Sequence, residues 1–443
     1  MVYIPNTEKD RAEMLESIGV KNFEELISNI PPSLRVKGTM DLPPALSEFE
    51  VTKHLKEISK KNKSTSDNVC FLGGGAYDHI IPSLVDNVIS RPEFYTAYTP
   101  YQAELSQGTL QAMYEYQSCV SLLSGMDITN SSMYDGGSAV AEAVTMAMSV
   151  SRKKKILIAD TLNPAYQEVV RTYTQGIDIE LIYIKEKEGT IDVEDLKSKV
   201  GDDVAAVVVQ HPNFFGNLEE VDEINKIVKE YKKLQFIVSY YPISVGLLKS
   251  PADYGADIAV AEGQSLGIPL SFGGPYIGLF SSTNKNVRKM PGRMSGKTHD
   301  SKGKEGYVLT LQTREQHIKR EKASSNICTN EGLMTIAVLT YLSYLGKEGI
   351  AEVAKQTFNK AHYLADKINS LENFNLKYNK EFFNEFVIET KKDISEVIKK
   401  LSENNIIGGL NLKDFGSEGL MIAVTEKRTR EELDEFVDVL KTI

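Results

Sequence analysis

From Lys155 onward the chain alternates short β-branched or apolar runs with amphipathic stretches: Ile156 to Ala159, Ile179 to Ile184, Val204 to Val209, Phe236 to Val238, Ile258 to Val260 and Tyr276 to Phe280. Helical spacing, as in Glu219 to Lys232, separates several of them. This pattern predicts an α/β fold with a mostly parallel sheet and helices on both faces, where ligands bind beyond the strand carboxyl ends. Upstream, Thr7 is placed to cap a helix running to Gly19, and a Glu/Lys-rich helix follows Pro43-Pro44, with few strongly apolar faces. Downstream, the Lys-, Gly- and Ser-rich stretch Asn284 to Glu305 reads as a mobile surface loop. Helical periodicity returns at Leu333 to Leu345 and Ile350 to Leu371. Strands near Glu385 to Glu389 and Gly419 to Val424 and a last helix from Arg428 complete a small α+β tail. The expected division is a helical N-terminal arm (1–70), a large α/β domain (71–330) and a small C-terminal α+β domain (331–443), with no solenoid repeat.

Composition narrows the function. At 443 residues the chain can bury more than one core, and 41% hydrophobic with 25% charged residues is ordinary for a globular protein. A net charge of -10 argues against nucleic acid as the main partner, and the basic run Arg152 to Lys155 reads as a solvated helix end before a strand. Cys70, Cys119 and Cys328 are too dispersed for a metal knot or a disulfide framework, so no metal and a reducing cytoplasmic setting are expected. No secretory signal pattern opens the chain and no apolar stretch is long enough to span a bilayer, so no membrane association is expected.

Several segments carry possible chemistry. Asp135-Gly136-Gly137-Ser138 opens a helix and could cradle a phosphate on backbone N–H groups; a plain tight entry turn is the competing reading. Gly73-Gly74-Gly75 lacks the Gly-Lys-Ser/Thr ending of a phosphate loop and reads as a flexible turn. Tyr95, Tyr98, Tyr101 and Gln102 offer hydroxyl and amide groups on a Pro-containing turn, suited to a carboxylate or phosphate, with core packing of the rings as the alternative. His211 and Asn213 end a buried run, where strand termination is the preferred reading. Arg314 presents a planar fork that suits an oxyanion, against the alternative of an Arg-Glu pair on a solvated helix.

Taken together, Phe71 to His79, Glu93 to Gln102, Ser106 to Gln111, Met133 to Ala139, Leu311 to Ile318 and Ser325 to Thr329 resemble the glycine-cleavage P-protein family almost end to end. The resemblance implies a type I pyridoxal-phosphate transferase-like fold. Gly255 to Pro275 then resembles the strand and Gly-rich turn that carry the Schiff-base lysine, with Gln264 at the lysine position. A carboxamide nitrogen is delocalised into its carbonyl and cannot form an imine. Tyr241, before Pro242, also stands where related chains often place an acid against the cofactor ring. The chain is therefore similar to the α subunit of the split form. The implied partner is a lysine-bearing β subunit in a heterotetramer, with pyridoxal phosphate on that subunit and none held covalently here. The implied reaction is glycine decarboxylation with aminomethyl transfer to the lipoyl arm of H-protein. By the same resemblance Tyr95, Tyr98, Tyr101, Gln102, Arg314, His317 and Asn326 become candidates for the interface or substrate site, and Gly136, Gly137 and Ser138 a relic phosphate turn. Two rivals remain: a purely structural or regulatory subunit, and an independent pyridoxal enzyme using Lys297 or Lys302.

Overall fold

The computed structural model describes residues 6–38, 40–323 and 325–443. These fall into two compact units, divided between Lys63 and Ser64.

In the first unit, Thr7 caps the helix Glu8–Ile18 through a reciprocal capping box with Asp10, and Gly19 ends it in the left-handed conformation. A second capping box, Ser47 with Glu50, opens the helix Glu48–Ser59. On that helix Val51, Leu55 and Ile58 recur at i, i+4 and i+7.

The second unit is organised by a seven-stranded sheet. Its strands in chain order are β1 (Ile128–Thr129), β2 (Lys155–Ala159), β3 (Glu180–Ile184), β4 (Val204–His211), β5 (Gln235–Tyr240), β6 (Ile258–Glu262) and β7 (Gly278–Ser282). Across the sheet the order is β1-β7-β6-β5-β4-β2-β3. The five strands from β3 to β6 run parallel, while β7 is antiparallel to both β6 and β1. Alternate side chains of one strand enter opposite cores: Leu157 and Ala159 pack with Val207, Val209, Phe236 and Val238, whereas Ile156 and Ile158 pack with Val208, Ile237, Val260 and Phe280. Both faces are dry because helices cover both, which explains why these strands read as continuous apolar runs.

One expectation needs correction. The stretch expected as a mobile loop from Asn284 contains a 3-10 turn (Asn284–Lys289), a buried passage from Met290 to Ser295, and the first strand of a hairpin, Met294–His299 with Glu305–Thr310. Gln117 fixes this hairpin, accepting from Ser295 N–H at 2.8 Å and donating to Ser295 O at 3.0 Å. Its Lys and Gly residues belong to the solvent-facing end, and a tertiary clamp that local composition does not encode orders the rest. The two helices expected after Leu333 are present within Gly332–Asn369, separated at Gly346, where φ is 60° and ψ -171°. Only glycine takes that conformation without strain.

Toward the C-terminus the antiparallel strands Phe374–Leu376, Glu385–Thr390, Leu420–Ala423 and Leu410–Asn411 form a small sheet. It packs on the helices Ile394–Glu403 and Arg430–Lys441 through Val397, Leu401, Phe436 and Leu440. This sheet brings Glu385 beneath the Gly73 to Gly75 turn, and Gly74 N–H donates to its carboxylate at 2.7 Å.

Candidate functional site

The carboxyl ends of β4, β5 and β6 meet the N-terminus of the helix Gly136–Ser151, which is where an open α/β sheet forms a ligand site. Here the chain's own groups fill that place. Glu262, the last residue of β6, accepts from Gly136 N–H at 2.9 Å and from Gln264 N–H at 3.0 Å. A side-chain carboxylate therefore engages the first N–H of the helix, the group a phosphate oxygen would take. Ser138 is also committed, closing a capping box with Asp135. A Cβ at Gly136 would come within 2.7 Å of the Tyr166 hydroxyl and 3.0 Å of Glu262, so the turn is closed sterically as well.

Gln264 lies 2% exposed beyond β6. Its carboxamide accepts from Tyr77 N–H at 2.8 Å and donates to Tyr77 O at 3.1 Å and Ile268 O at 2.7 Å, stapling the Gly73 to Tyr77 segment to the sheet. Tyr77 Oη donates to Glu385 at 2.7 Å. Tyr241 is buried against His79, whose other ring nitrogen lies 2.5 Å from the Glu426 carboxylate. The void left among Tyr77, Tyr166, Tyr241, Glu262 and Glu385 is about 20 Å³. Ligand pockets run to about 300–1,000 Å³, and a void of this size holds a single water. With about 20 Å³ of free space and the first helix N–H already engaged by Glu262, these residues leave no room for pyridoxal phosphate.

Burial pushes the Glu262 carboxyl up to about 8, although the Gly136 and Gln264 N–H groups oppose it. Glu385, Glu219 and Glu142 are each pushed up to about 7 by the same cause. Such a group holds its proton in the folded chain at pH values where the unfolded chain has released it. The folded state then binds more protons than the unfolded one between about pH 4.5 and 8, and stability falls as pH rises through that window. The melting temperature is expected to decline from pH 5 to pH 8.5, with a shallower decline in Glu262→Gln. A melting temperature that rises over this range would refute the assignment.

A second cluster lies where the sequence candidates Tyr101, Arg314 and His317 converge, and it adds two residues that the sequence did not single out, Arg293 and Glu315. Arg293, 2% exposed, donates to the Tyr101 hydroxyl at 2.8 Å and stacks over its ring at 5.0 Å. The Tyr101 and His317 rings meet at 5.5 Å. Glu315 lies 3.2 Å from Arg293 Nε and 3.6 Å from His317 Nδ1, a charge contact without the alignment of a hydrogen bond at Nε. The Arg314 guanidinium is buried, and none of its three nitrogens has a hydrogen-bond partner among the described residues; the same holds for Arg293 Nη1 and Nε. Burial lowers Arg314 to about 10, opposed by the Glu315 charge, and raises the Glu315 carboxyl. One guanidinium in contact with Glu315 and a second, unpartnered one that feels only its charge leave an excess of buried donors and positive charge, the chemistry of an oxyanion site.

The remaining candidates stand apart from this cluster. Tyr95, Tyr98, Gln102 and Asn326 are exposed. A Thr99 to Thr329 hydroxyl contact of 3.1 Å ties the tyrosine segment to the Ser325 to Thr329 segment, and Ser325 donates to buried Glu142 at 2.7 Å. His211 accepts from Glu219 N–H at 3.1 Å and burial lowers it to about 4, while Asn213 is spent on Gly189 O, Glu219 and the Phe215 and Asn217 N–H groups. Both fasten the turn after β4. Arg293 was hidden in the segment read as a loop. The Pro291-Gly292 pair before it was its available signal, with Gly292 at φ 73° turning the chain inward.

Sheet order and strand directions define a chain of the type I pyridoxal-phosphate fold. Solved structures agree on the fold: a sphingosine-1-phosphate lyase from Burkholderia pseudomallei superposes with a TM-score of 0.67 over 93% of this chain and 94% of its own, at 13% identity. The chain belongs to the glycine cleavage system P-protein family, whose family model matches residues 1–440. It is 52% identical over 443 residues to the probable glycine dehydrogenase (decarboxylating) subunit 1 of Chlorobium luteolum, covering 99% of each chain, and 51% identical to that of Chloroherpeton thalassium, covering 100% of each. The crystal structure of a glycine decarboxylase (P-protein) of the glycine cleavage system, in inhibitor-bound form, matches with a TM-score of 0.90 and 38% identity over 100% of both chains.

Proposed function

We propose that this chain is the α subunit of a glycine-decarboxylating P-protein, inactive alone and completed by a β subunit that carries the lysine and the pyridoxal phosphate. The observation that carries this reading is the filled pocket: Gln264 and Glu262 are hydrogen-bonded where a cofactor's lysine and phosphate contacts would lie. Bound to the partner, pyridoxal phosphate supplies the electron sink that glycine decarboxylation needs. This chain's contribution is the Arg293 and Arg314 cluster, which orients an oxyanion of substrate or cofactor across the interface, with Tyr101 and His317 at its mouth and Tyr95, Tyr98, Gln102 and Asn326 lining the approach. The aminomethyl product passes to the lipoyl arm of H-protein, which uses the same approach. The assembly is a heterotetramer in the cytosol.

The test is expression of this chain alone and together with the β subunit. Glycine-dependent exchange of carboxyl label is expected only from the pair, and exchange by the isolated chain would overturn the reading. A borohydride-sensitive visible band on the isolated chain would instead favour an independent enzyme. Against that rival, Lys297 is exposed and paired with Glu305 at 2.5 Å, and Lys302 is exposed in the hairpin turn.

A further inference from the structure

We infer that the enclosed void beside Arg314 is a halide site that holds one chloride ion in the isolated chain. It is lined by Met290, Gly292, Arg314, Glu315, Ser325 and Ile327. A buried polar nitrogen without an acceptor is rare, and each case calls for a water or an ion. Five coincide here, Nε and Nη1 of Arg293 and all three nitrogens of Arg314. Arg293, 2% exposed, adjoins the void through its neighbour Gly292 and through Glu315, whose carboxylate lies 3.2 Å from its Nε. The inference deepens the functional reading above and rests on it in one respect: positive charge kept for a partner-borne oxyanion is met by a solvent ion while that oxyanion is absent.

Size and charge together choose the occupant. The void measures about 10 Å³, room for a single atom-sized guest and too little for a polyatomic oxyanion from solution. Charge then separates a halide from a water. Two guanidiniums against one carboxylate leave one positive charge in excess, and Arg314 stays charged near neutral pH because burial lowers it only to about 10. His317, 3.6 Å from Glu315, brings no negative charge. A water has two lone pairs for five nitrogens and neutralises nothing, whereas a halide accepts from several N–H groups at once and supplies the missing charge. A buried cation without a counter-charge is costly, so the pairing stabilises the fold. One group opposes it: Glu315 Oε1 is also buried without a partner. Its charge is offset by Arg293, 3.2 Å from the other carboxylate oxygen.

The experiment soaks crystals of the isolated full-length chain in bromide and records anomalous scattering. A bromide peak is expected between Arg314 and Ile327; peaks at the protein surface alone, an adventitious ion only, would overturn the site. In solution, thermal melts in sodium chloride and in sodium gluconate are compared at equal ionic strength. Chloride is expected to give a saturable rise of about 2 °C or more, which gluconate, too large to enter, does not give. Arg314→Met is expected to lose this rise, so that the stability gained by that substitution shrinks as chloride is added. A rise that does not saturate, or that is equal in parent and variant, is a general salt effect and would overturn the inference. Should Arg314→Met fail to fold, the bromide peak in the parent decides alone. Label exchange by the assembled pair reports on the functional reading, so either can fail without the other.

Discussion

Replacing Gln264 with lysine is expected to destabilise the chain by roughly 3–5 kcal/mol, the cost of leaving buried polar or charged groups uncompensated, without creating a cofactor site. The carboxamide both accepts and donates, and its acceptor half holds Tyr77 N–H at 2.8 Å. An ammonium has no lone pair to offer, so the Tyr77 amide loses its partner in a dry site. The longer cationic side chain also enters a space whose void is about 20 Å³. Glu262, which accepts from Gln264 N–H, is already held by Gly136 N–H at 2.9 Å. Drawing it toward a lysine would strip the first N–H of the helix. The check is denaturant unfolding of the variant with and without added pyridoxal phosphate, with the visible spectrum recorded. A variant as stable as the parent that takes up the cofactor and develops a borohydride-sensitive band would show a latent site and defeat the filled-pocket argument. Gln264→Glu is the informative companion: it keeps the acceptor for Tyr77 N–H and loses the donors to Tyr77 O and Ile268 O, so it is expected to cost less than the lysine.

The parts of this fold that local sequence could reveal are those where one residue's neighbours in the chain decide its environment. Strands β2, β4, β5 and β6 are buried on both faces, so their central positions are apolar and the run is visible without knowledge of the partner strands. The Thr7 cap and the Gly19 stop are equally local. The hairpin Met294–His299 with Glu305–Thr310 was not visible, because its order derives from Gln117, 178 residues away along the chain from Ser295. The filled pocket was only half visible. Gln264 announced the lost nucleophile by chemistry alone, but an acid two residues earlier in a strand carries no sign that it caps a helix beginning 126 residues away. The oxyanion cluster divides in the same way. Arg314 and His317 stood in a segment whose resemblance flagged them, whereas Arg293 acquires its meaning from Tyr101 across 192 residues of separation.

Arg314→Met is expected to raise the stability of this subunit while abolishing most of the activity of the complex. In the isolated chain the guanidinium is buried with all three nitrogens unpartnered among the described residues, and burial lowers its pKa to about 10. Removing an uncompensated buried cation and filling its volume with an apolar chain typically gains about 1–3 kcal/mol. The Glu315 carboxylate keeps Arg293 at 3.2 Å, so the substitution does not leave the acid without a counter-charge. If, as proposed, Arg314 orients an oxyanion in the complex, the same change removes that fork, and loss of one partner of a desolvated charge pair costs about 2–5 kcal/mol, or roughly 30- to several-thousand-fold in kcat/KM. Opposite signs in the two measurements distinguish a residue kept for function from one kept for packing, since functional sites retain strain that stability alone would remove. Arg314→Lys sharpens the test: a point charge without the planar fork should restore part of the electrostatic attraction and little of the orientation. A structural role predicts the reverse pattern, with a lower melting temperature for Arg314→Met and turnover in the assembled complex equal to that of the parent.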